Sequence, residues 1–179
     1  MAPLRAALAK AGLQGVRTYI QSGNVIAESD LPHLGIEKLV HDVIRNTFGG
    51  NIAVLSRTPQ QFANILKRNP FGNKDGARLY FSMLAVEPDK KLLQQFLTAD
   101  FAPDRVQYAN KTIYTLYATK HSDSKFNNNF FERKLRVTAT TRNRNTMLKL
   151  VSLTSVQPRD PLMPLTISAS NEKRTGTGA

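Results

Sequence analysis

The order of helical and strand periodicity constrains this 179-residue chain most, because the order nearly repeats from one half to the other. Apolar residues recur every three or four positions where a helix is predicted, and they alternate or cluster where a strand is predicted. The first half gives a helix, a hairpin, a helix and a strand at residues 3–12, 16–28, 36–48 and 52–55. The second half gives a strand, a helix, a hairpin, a helix, a strand and a last helix at residues 78–85, 88–97, 105–117, 125–135, 137–140 and 143–153.

The second half therefore has the order βαββαβ, followed by a helix, and βαββαβ is the split β-α-β unit of ferredoxin-like folds. The first half has the same order without its opening strand. We predict an α+β fold of two ferredoxin-like subdomains, over residues 1–57 and 77–154, with the first subdomain incomplete. A helix and loop at 58–76 connect them, and Thr58 with Gln61 forms a capping box where that helix begins.

The missing strand is the central one of this topology, so the two strands beside it are expected to have unpaired edges. One explanation is that Met1 is an internal methionine of a longer protein. Another is that the β-capable residues 165–168 fill the gap. The whole segment 155–179 is rich in Ser, Thr, Pro and Gly, and we expect it to form a disordered tail.

Composition limits the classes of function. The chain has no cysteine, which removes disulfides and thiolate chemistry, and no apolar run approaches the roughly 20 residues of a membrane helix. The N-terminal segment lacks the apolar core of a secretion signal, so we expect a cytoplasmic protein with no membrane partner. The net charge is +12, and residues 101–150 hold ten Lys and Arg against three Asp and Glu. A basic surface of this kind favours nucleic acids or phosphorylated small molecules as partners.

The segment 140–146, Thr-Thr-Arg-Asn-Arg-Asn-Thr, stands directly before the apolar residues of the last helix. It predicts a helix start that Thr141 caps, with Arg142 beside the remaining N–H groups to form an anion site. Lys125, near the start of the preceding helix, is expected to converge on the same phosphate. The alternative is an ordinary capped helix with a solvated basic face. The candidate ligand-binding residues of this half are Lys125, Thr140, Thr141, Arg142 and Asn143.

A second candidate lies in the predicted hairpin turn Gln-Ser-Gly-Asn at residues 21–24. We consider it a polar binding loop, with the neighbouring Tyr19 as a stacking or hydrogen-bonding group. The alternative is that these residues are present for backbone reasons alone, because Ser, Gly and Asn are common in turns. The candidate ligand-binding residues of this half are Tyr19, Gln21, Ser22 and Asn24.

Catalysis and metal binding have little support in the sequence. His33, His41 and His121 are far apart along the chain and indicate neither a catalytic triad nor a metal triplet. Asp123 and Glu132 are the carboxylates near the polar cluster, but nothing in the sequence sets their separation. We predict no metal and no cofactor, and whether the chain is an enzyme stays open.

Four tyrosines on predicted strands of the basic half offer a route to nucleic-acid binding: Tyr80, Tyr108, Tyr114 and Tyr117. Aromatic side chains on an open sheet stack bases in RNA-recognition domains, and we expect Tyr108 and Tyr114 to share one face. The Lys/Arg-Gly-Phe-Gly-Phe-like strand of those domains is missing, however. The alternative is that the tyrosines belong to the core.

Three segments have a familiar order and spacing: Thr-Tyr-Ile-Gln-Ser-Gly-Asn at 18–24, Asn-Pro-Phe at 69–71, and Ser-Lys-Phe at 124–126 followed by Ala-Thr-Thr-Arg-Asn at 139–143. Together they resemble domain-of-unknown-function family 1697, a family of uncharacterised bacterial proteins. The resemblance covers about residues 2–153. It implies a pair of ferredoxin-like α+β subdomains and no established reaction.

The chain departs from this family in three places. The family's opening strand and its glycine-rich loop have no counterpart before Met1. Arg144 stands where the family usually has tryptophan, and the residues after Val156 match nothing in the family. The function that we predict is a polar, basic site, built from the loops near Gln21 and Arg142, that binds an anionic ligand, either a nucleic acid or a phosphorylated small molecule. A small-molecule enzyme that uses the same residues is the alternative, and the oligomeric state is open.

Overall fold

The computed structural model describes residues 1–19, 23–72 and 76–154, together with the backbone of a strand at 162–168. The helices in this part of the chain are α1 (Ala2–Lys10), α2 (His33–Phe48), α3 (Pro59–Lys67), α4 (Lys90–Leu97), α5 (Asn128–Leu135) and α6 (Arg144–Thr154), with a 3₁₀ turn at His121–Asp123. The strands are β1 (Gln14–Tyr19), β2 (Asn24–Glu28), β3 (Ala53–Ser56), β4 (Leu79–Leu84), β5 (Arg105–Ala109), β6 (Thr112–Leu116), β7 (Ala139–Asn143) and β8 (Leu162–Ser168). The predicted α+β class is confirmed.

The strands form two four-stranded sheets. The first sheet has the order β1-β2-β8-β3, and β8 runs antiparallel to both of its neighbours. The second sheet has the order β5-β6-β4-β7, and its neighbouring strands are also antiparallel. β3 and β7 each have one neighbour, so each closes one edge of its sheet.

β8, which contains residues 165–168, occupies the central position of the first sheet, as the second of the two explanations above predicted. Leu165 pairs with Val25 on one side and with Ser56 on the other, so β2 and β3 do not have the unpaired edges that we predicted. Pro164 has no N–H, and it lies one residue beyond the last β3 pair, where only β2 is beside the strand. The disordered-tail prediction is therefore wrong for residues 162–168. The remaining residues of the predicted tail lie outside the described part of the chain.

The reason for this error is that composition says little about a strand that is stabilised by its neighbours. The sequence Leu-Met-Pro-Leu-Thr-Ile-Ser, at residues 162–168, lies within a segment rich in polar residues and in Pro and Gly. Two neighbouring strands with free N–H and C=O groups offer hydrogen bonds on both sides, and an unpaired backbone group is costly when buried. These unpaired backbone groups therefore favour strand formation by a β-capable segment that lies between β2 and β3.

Three apolar clusters pack the sheets and helices together. The outer cluster of the first sheet lies against α1 and α2, and its buried residues include Leu8, Val25, Ala27, Ile36, Val40 and Ile44. The central cluster joins both sheets with α3 and α6, and includes Ile26, Phe62, Phe81, Tyr114, Met147 and Leu150. The outer cluster of the second sheet lies against α4 and α5, and includes Phe96, Ile113, Tyr117, Phe131 and Leu135. Along β2 and β4, neighbouring apolar residues alternate between the central cluster and an outer one.

Deletion of residues 155–179 tests whether β8 holds the first sheet together. We expect the backbone amides of β2 and β3 to exchange with deuterium roughly 100-fold faster, because both strands lose the partner between them. The amides of β4 and β6 should keep their protection. Deletion of residues 169–179, which leaves β8 in place, is the matched control. Unchanged protection of β3 in the longer deletion would show that β8 is not its partner.

Candidate functional site

The first predicted site, in the hairpin between β1 and β2, is only partly described. Gln21 and Ser22 lie outside the described residues. Asn24 begins β2 and is fully buried, and its Nδ2 donates to the carbonyl oxygen of Tyr19 at 3.1 Å. Its Oδ1 accepts a hydrogen bond from Nε of Arg142 at 2.8 Å. The structure therefore brings one residue of each predicted site into contact.

The second predicted site has a different local structure from the one that we expected. Thr140, Thr141, Arg142 and Asn143 belong to β7 rather than to the start of a helix. Oγ1 of Thr141 donates to Oδ1 of Asn128 at 2.9 Å, so Thr141 is not the helix cap. The cap is Asn143, whose Oδ1 accepts the backbone N–H of Thr146 at 2.8 Å. The physical reason is that β4 offers a free edge, and residues 139–143 pair with it along their whole length.

Arg142 connects the two sheets. Besides its bond to Asn24, its Nη1 donates to the carbonyl oxygen of Thr141 at 2.8 Å and its Nη2 to that of Gly23 at 3.3 Å. Burial lowers the pKa of the Arg142 guanidinium to about 10. Buried charges are stabilised by hydrogen bonds of this kind, so Arg142 acts here as a bridge between β7 and the start of β2.

Lys125 does not join Arg142. It is exposed in the loop before α5, with its ammonium 5.1 Å from the centre of the Phe126 ring. Phe126 belongs to the outer cluster of the second sheet, whereas Arg142 contacts Asn24 on the opposite side of that sheet. The two cations therefore lie on opposite faces of the second sheet, and the structure does not bring them to one phosphate.

The tyrosines do not form an open stacking surface. Tyr114 and Tyr117 are each 1 % exposed. Tyr114 packs in the central cluster, whereas Tyr108 packs in the outer cluster and its hydroxyl donates to the carboxylate of Glu87. The prediction that Tyr108 and Tyr114 share one face is therefore wrong. Helices cover both faces of the second sheet.

A polar pocket lies between the two sheets, at the start of α2 and the end of β3. Its volume is about 280 Å³. It is lined by His33, Leu34, Glu37, Ser56, Arg57, Gln61, Asn64, Ile65, Arg68, Ala85, Asn110, Lys111, Thr112 and Tyr114. We call this site the inter-sheet pocket. Of the nine residues predicted from the sequence, none of the seven that the structure describes lines it.

A hydrogen-bonded group of three side chains forms one wall of the inter-sheet pocket. Oγ of Ser56 donates to Oε1 of Glu37 at 2.9 Å, and the backbone N–H of Ser56 donates to the same oxygen at 2.7 Å. Nδ1 of His33 lies 2.6 Å from Oγ of Ser56. The serine is fully buried and the histidine is partly exposed.

His33 is far along the chain from the other two histidines, but in the folded chain it has a polar partner, Ser56. His33 and Glu37 are four residues apart on α2 and therefore share one face of that helix. That spacing was a usable signal. The partnership with Ser56 was not visible, because β3 returns beside the start of α2 only in the folded chain.

Three cations line the same pocket: Arg57, Arg68 and Lys111. Nη1 of Arg57 donates to the carbonyl oxygen of Ser56 at 2.7 Å and Nη2 to that of Leu84 at 2.6 Å, so its guanidinium is held between the sheets. Burial lowers the pKa of Arg57, and the charge of Glu37 opposes that shift. Glu37 is the one carboxylate among the lining residues, so positive charge predominates.

Lys111 occupies a strained backbone position at the rim. Asn110 and Lys111 form the turn between β5 and β6, in the hairpin that we predicted at 105–117. Both residues have positive φ, at 49° and 57°. This is the left-handed region, which is unfavourable for residues with a Cβ and favours glycine at such turns. The carbonyl oxygen of Lys111 accepts the N–H of Leu84 at 2.8 Å, which fixes the turn against the second sheet.

Among the described residues, no group of three His, Asp or Glu side chains is close enough to hold a metal ion. No helix within the same residues is long and apolar enough to cross a membrane.

Comparison with known proteins identifies the family. The model of the family described as "Protein of unknown function (DUF1697)" matches residues 1–114. The chain belongs to the DUF1697 family. The resemblance found in the sequence is therefore confirmed, although its third segment, at 124–143, lies beyond the matched residues. All the lining residues named for the inter-sheet pocket lie within the matched residues, since Tyr114 is the last of them.

A solved structure supports the same fold. It is described as the structure of conserved bacterial protein SP0830 from Streptococcus pneumoniae, with 20% sequence identity and a TM-score of 0.69. The likeness covers 87% of this DUF1697 chain and 88% of the other chain. At this identity the likeness concerns the fold alone. No curated protein matches the chain.

The substitution Arg142→Leu tests whether Arg142 is a structural bridge. We expect the free energy of unfolding to fall by about 1–3 kcal/mol, because Oδ1 of the buried Asn24 loses its donor. Urea denaturation measures this change. The exposed Lys125→Ala is the matched control and should stay within about 0.5 kcal/mol of the wild type. An Arg142→Leu protein of unchanged stability would contradict the bridging role.

Proposed function

We propose that the inter-sheet pocket binds a small anionic molecule, and that phosphorylated small molecules are its ligand class. The observation that carries this proposal is the charge of the lining: Arg57, Arg68 and Lys111 outnumber Glu37, which is the one carboxylate among the described lining residues. Cations in a partly enclosed site attract anions more strongly than cations on an open surface, because water screens them less.

Arg57 supports the proposal through its geometry. An arginine has five N–H donors in a fixed plane, and the two bonds to carbonyl oxygens use one on each terminal nitrogen. Those bonds hold the guanidinium in place before a ligand arrives, so little side-chain entropy is lost on binding. The remaining donors suit a phosphate or carboxylate, which arginine binds through paired hydrogen bonds.

The size of the pocket favours a small molecule over a nucleic acid. A volume of about 280 Å³ is at the lower end of ligand sites. Nucleic-acid binding through the sheet needs exposed aromatic residues, and Tyr114 and Tyr117 are buried. The net charge of +12 then serves to raise the rate at which an anion reaches the pocket.

We extend the proposal to the topology of the two sheets and to the location of the protein in the cell. We propose that each sheet with its outer helices is a ferredoxin-like unit, and that β8 stands in the first unit where the opening strand of βαββαβ belongs. The order β5-β6-β4-β7 supports this view for the second unit. We also propose a cytoplasmic location, since a chain without cysteine suits a reducing compartment.

The substitution Lys111→Gly separates ligand binding from stability. Glycine relieves the left-handed backbone at this turn, so the fold should become more stable by up to about 1 kcal/mol. Loss of the ammonium should weaken the binding of inorganic pyrophosphate about tenfold, because a hydrogen bond to a charged group contributes about 1.5–3 kcal/mol. Isothermal titration calorimetry and urea denaturation measure the two effects.

Lys125→Ala, an exposed cation outside the pocket, is the matched control for Lys111→Gly and should bind pyrophosphate as the wild type does. Arg68→Gln should weaken binding in the same direction as Lys111→Gly. Wild-type protein that binds no pyrophosphate contradicts the proposal. So does binding of single-stranded RNA that neither pocket variant weakens, since that result would assign the charge to nucleic acid.

A further inference from the structure

We infer that the inter-sheet pocket is a hydrolytic centre for phosphate esters, in which His33 takes a proton from the attacking water. The inference rests on the proposed function, because the ester must first bind through its phosphate. The group that carries it is the chain of hydrogen bonds from Glu37 through Ser56 to His33, which lines the pocket beside the three cations.

The hydrogen bonds fix which nitrogen of His33 holds the proton. A carboxylate oxygen only accepts, so the single hydroxyl proton of Ser56 is used in its bond to Glu37. Oγ of Ser56 must then accept at its other contact, and the donor there is Nδ1–H of His33. The neutral imidazole therefore has its lone pair on Nε2. That nitrogen is left to accept a proton from water or a ligand.

Ser56 itself is not the nucleophile. It is fully buried, and its hydroxyl proton is directed to Glu37 rather than to a base that would remove it. Glu37 and Ser56 are instead positioning residues. They orient the imidazole and stabilise the imidazolium that forms when Nε2 takes a proton, as a carboxylate behind a catalytic histidine does in other enzymes.

The charged groups around His33 come from each side of the pocket. Glu37 lies on the same helix, Arg57 follows β3, Arg68 follows α3, and Lys111 lies on the β5–β6 turn. The cations are placed to hold the phosphoryl oxygens and to balance the charge that develops as the ester bond breaks.

The proposed step balances with water as the only co-reactant. The water oxygen forms a bond to phosphorus while one of its protons passes to Nε2 of His33. The bond between phosphorus and the ester oxygen breaks, and that oxygen leaves with the electron pair. The imidazolium then returns its proton through solvent to the departing oxygen, which becomes an alcohol. The phosphate product carries the hydroxyl group that came from water, and it is inorganic phosphate where the substrate is a monoester.

Hydrolysis of p-nitrophenyl phosphate and bis(p-nitrophenyl) phosphate by the full chain tests this inference. His33→Gln should lower kcat/KM about 100-fold, the usual contribution of a general base, while pyrophosphate binding stays within about threefold. The matched control is His121→Gln, because His121 lies outside the pocket and should leave both values unchanged.

Glu37→Gln tests the positioning role, since the amide oxygen still accepts from Ser56 while the charge is lost. We expect kcat to fall while KM stays unchanged, because the imidazolium that forms during the step loses the carboxylate that stabilises it. Long-range ¹H–¹⁵N NMR of His33 in the unliganded wild type should show the proton on Nδ1. This second measurement does not depend on the chosen substrate.

The outcomes separate the two proposals. No pyrophosphate binding by the wild type overturns the proposed function. Pyrophosphate binding without turnover of either p-nitrophenyl ester overturns only the hydrolytic inference. Full activity in His33→Gln, or a proton on Nε2 rather than Nδ1 in neutral His33, also overturns it.

Discussion

The backbone pairing of β8 with β2 and β3 is the constraint on which the first sheet and the inter-sheet pocket depend. Among the strands that the structure describes, β3 pairs with β8 alone, and Ser56 at the end of β3 pairs with Leu165. Ser56 is also the residue that joins Glu37 to His33. The position of one wall of the pocket therefore depends on a strand that is more than 100 residues away along the chain.

Buried polar contacts add specificity to the central apolar cluster. Arg57 reaches from the end of β3 to the carbonyl oxygen of Leu84, and Arg142 reaches from β7 to Asn24. Both cations cross from one sheet to the other, and both are stabilised by oxygen acceptors on the far side. Apolar packing alone would let the two sheets rotate slightly against each other. A buried cation prevents this, because it must keep its hydrogen-bond acceptors. These two contacts therefore fix how the sheets face each other, and the pocket lies beside one of them.

Local patterns in the sequence were enough to predict most of the helices and strands. The capping box of Thr58 and Gln61 is present at the start of α3, and Asn110 and Lys111 form the turn that was expected between two strands. Both depend on residues only a few positions apart. The strand at 139–143 was missed beyond Thr140, because hydrogen-bonding side chains suit a helix start until a free strand edge is available.

The site was harder to predict than the fold, because its residues come from distant parts of the chain. His33 and Glu37 were within reach of helical spacing, but Ser56, Arg57 and Lys111 meet them only after both sheets have formed. The contact between Asn24 and Arg142 was anticipated as proximity, yet burial makes it a bridge between sheets. Charge alone indicated an anionic partner and did not indicate where it binds.

The most direct test of the account is a ¹H–¹⁵N NMR titration of the full chain with inorganic pyrophosphate. We expect the largest chemical-shift changes at the amides of Ser56, Arg57 and Lys111, around the inter-sheet pocket. Shifts centred on Gly23, Asn24 and Asn143 would contradict it and return the ligand to the site predicted from the sequence.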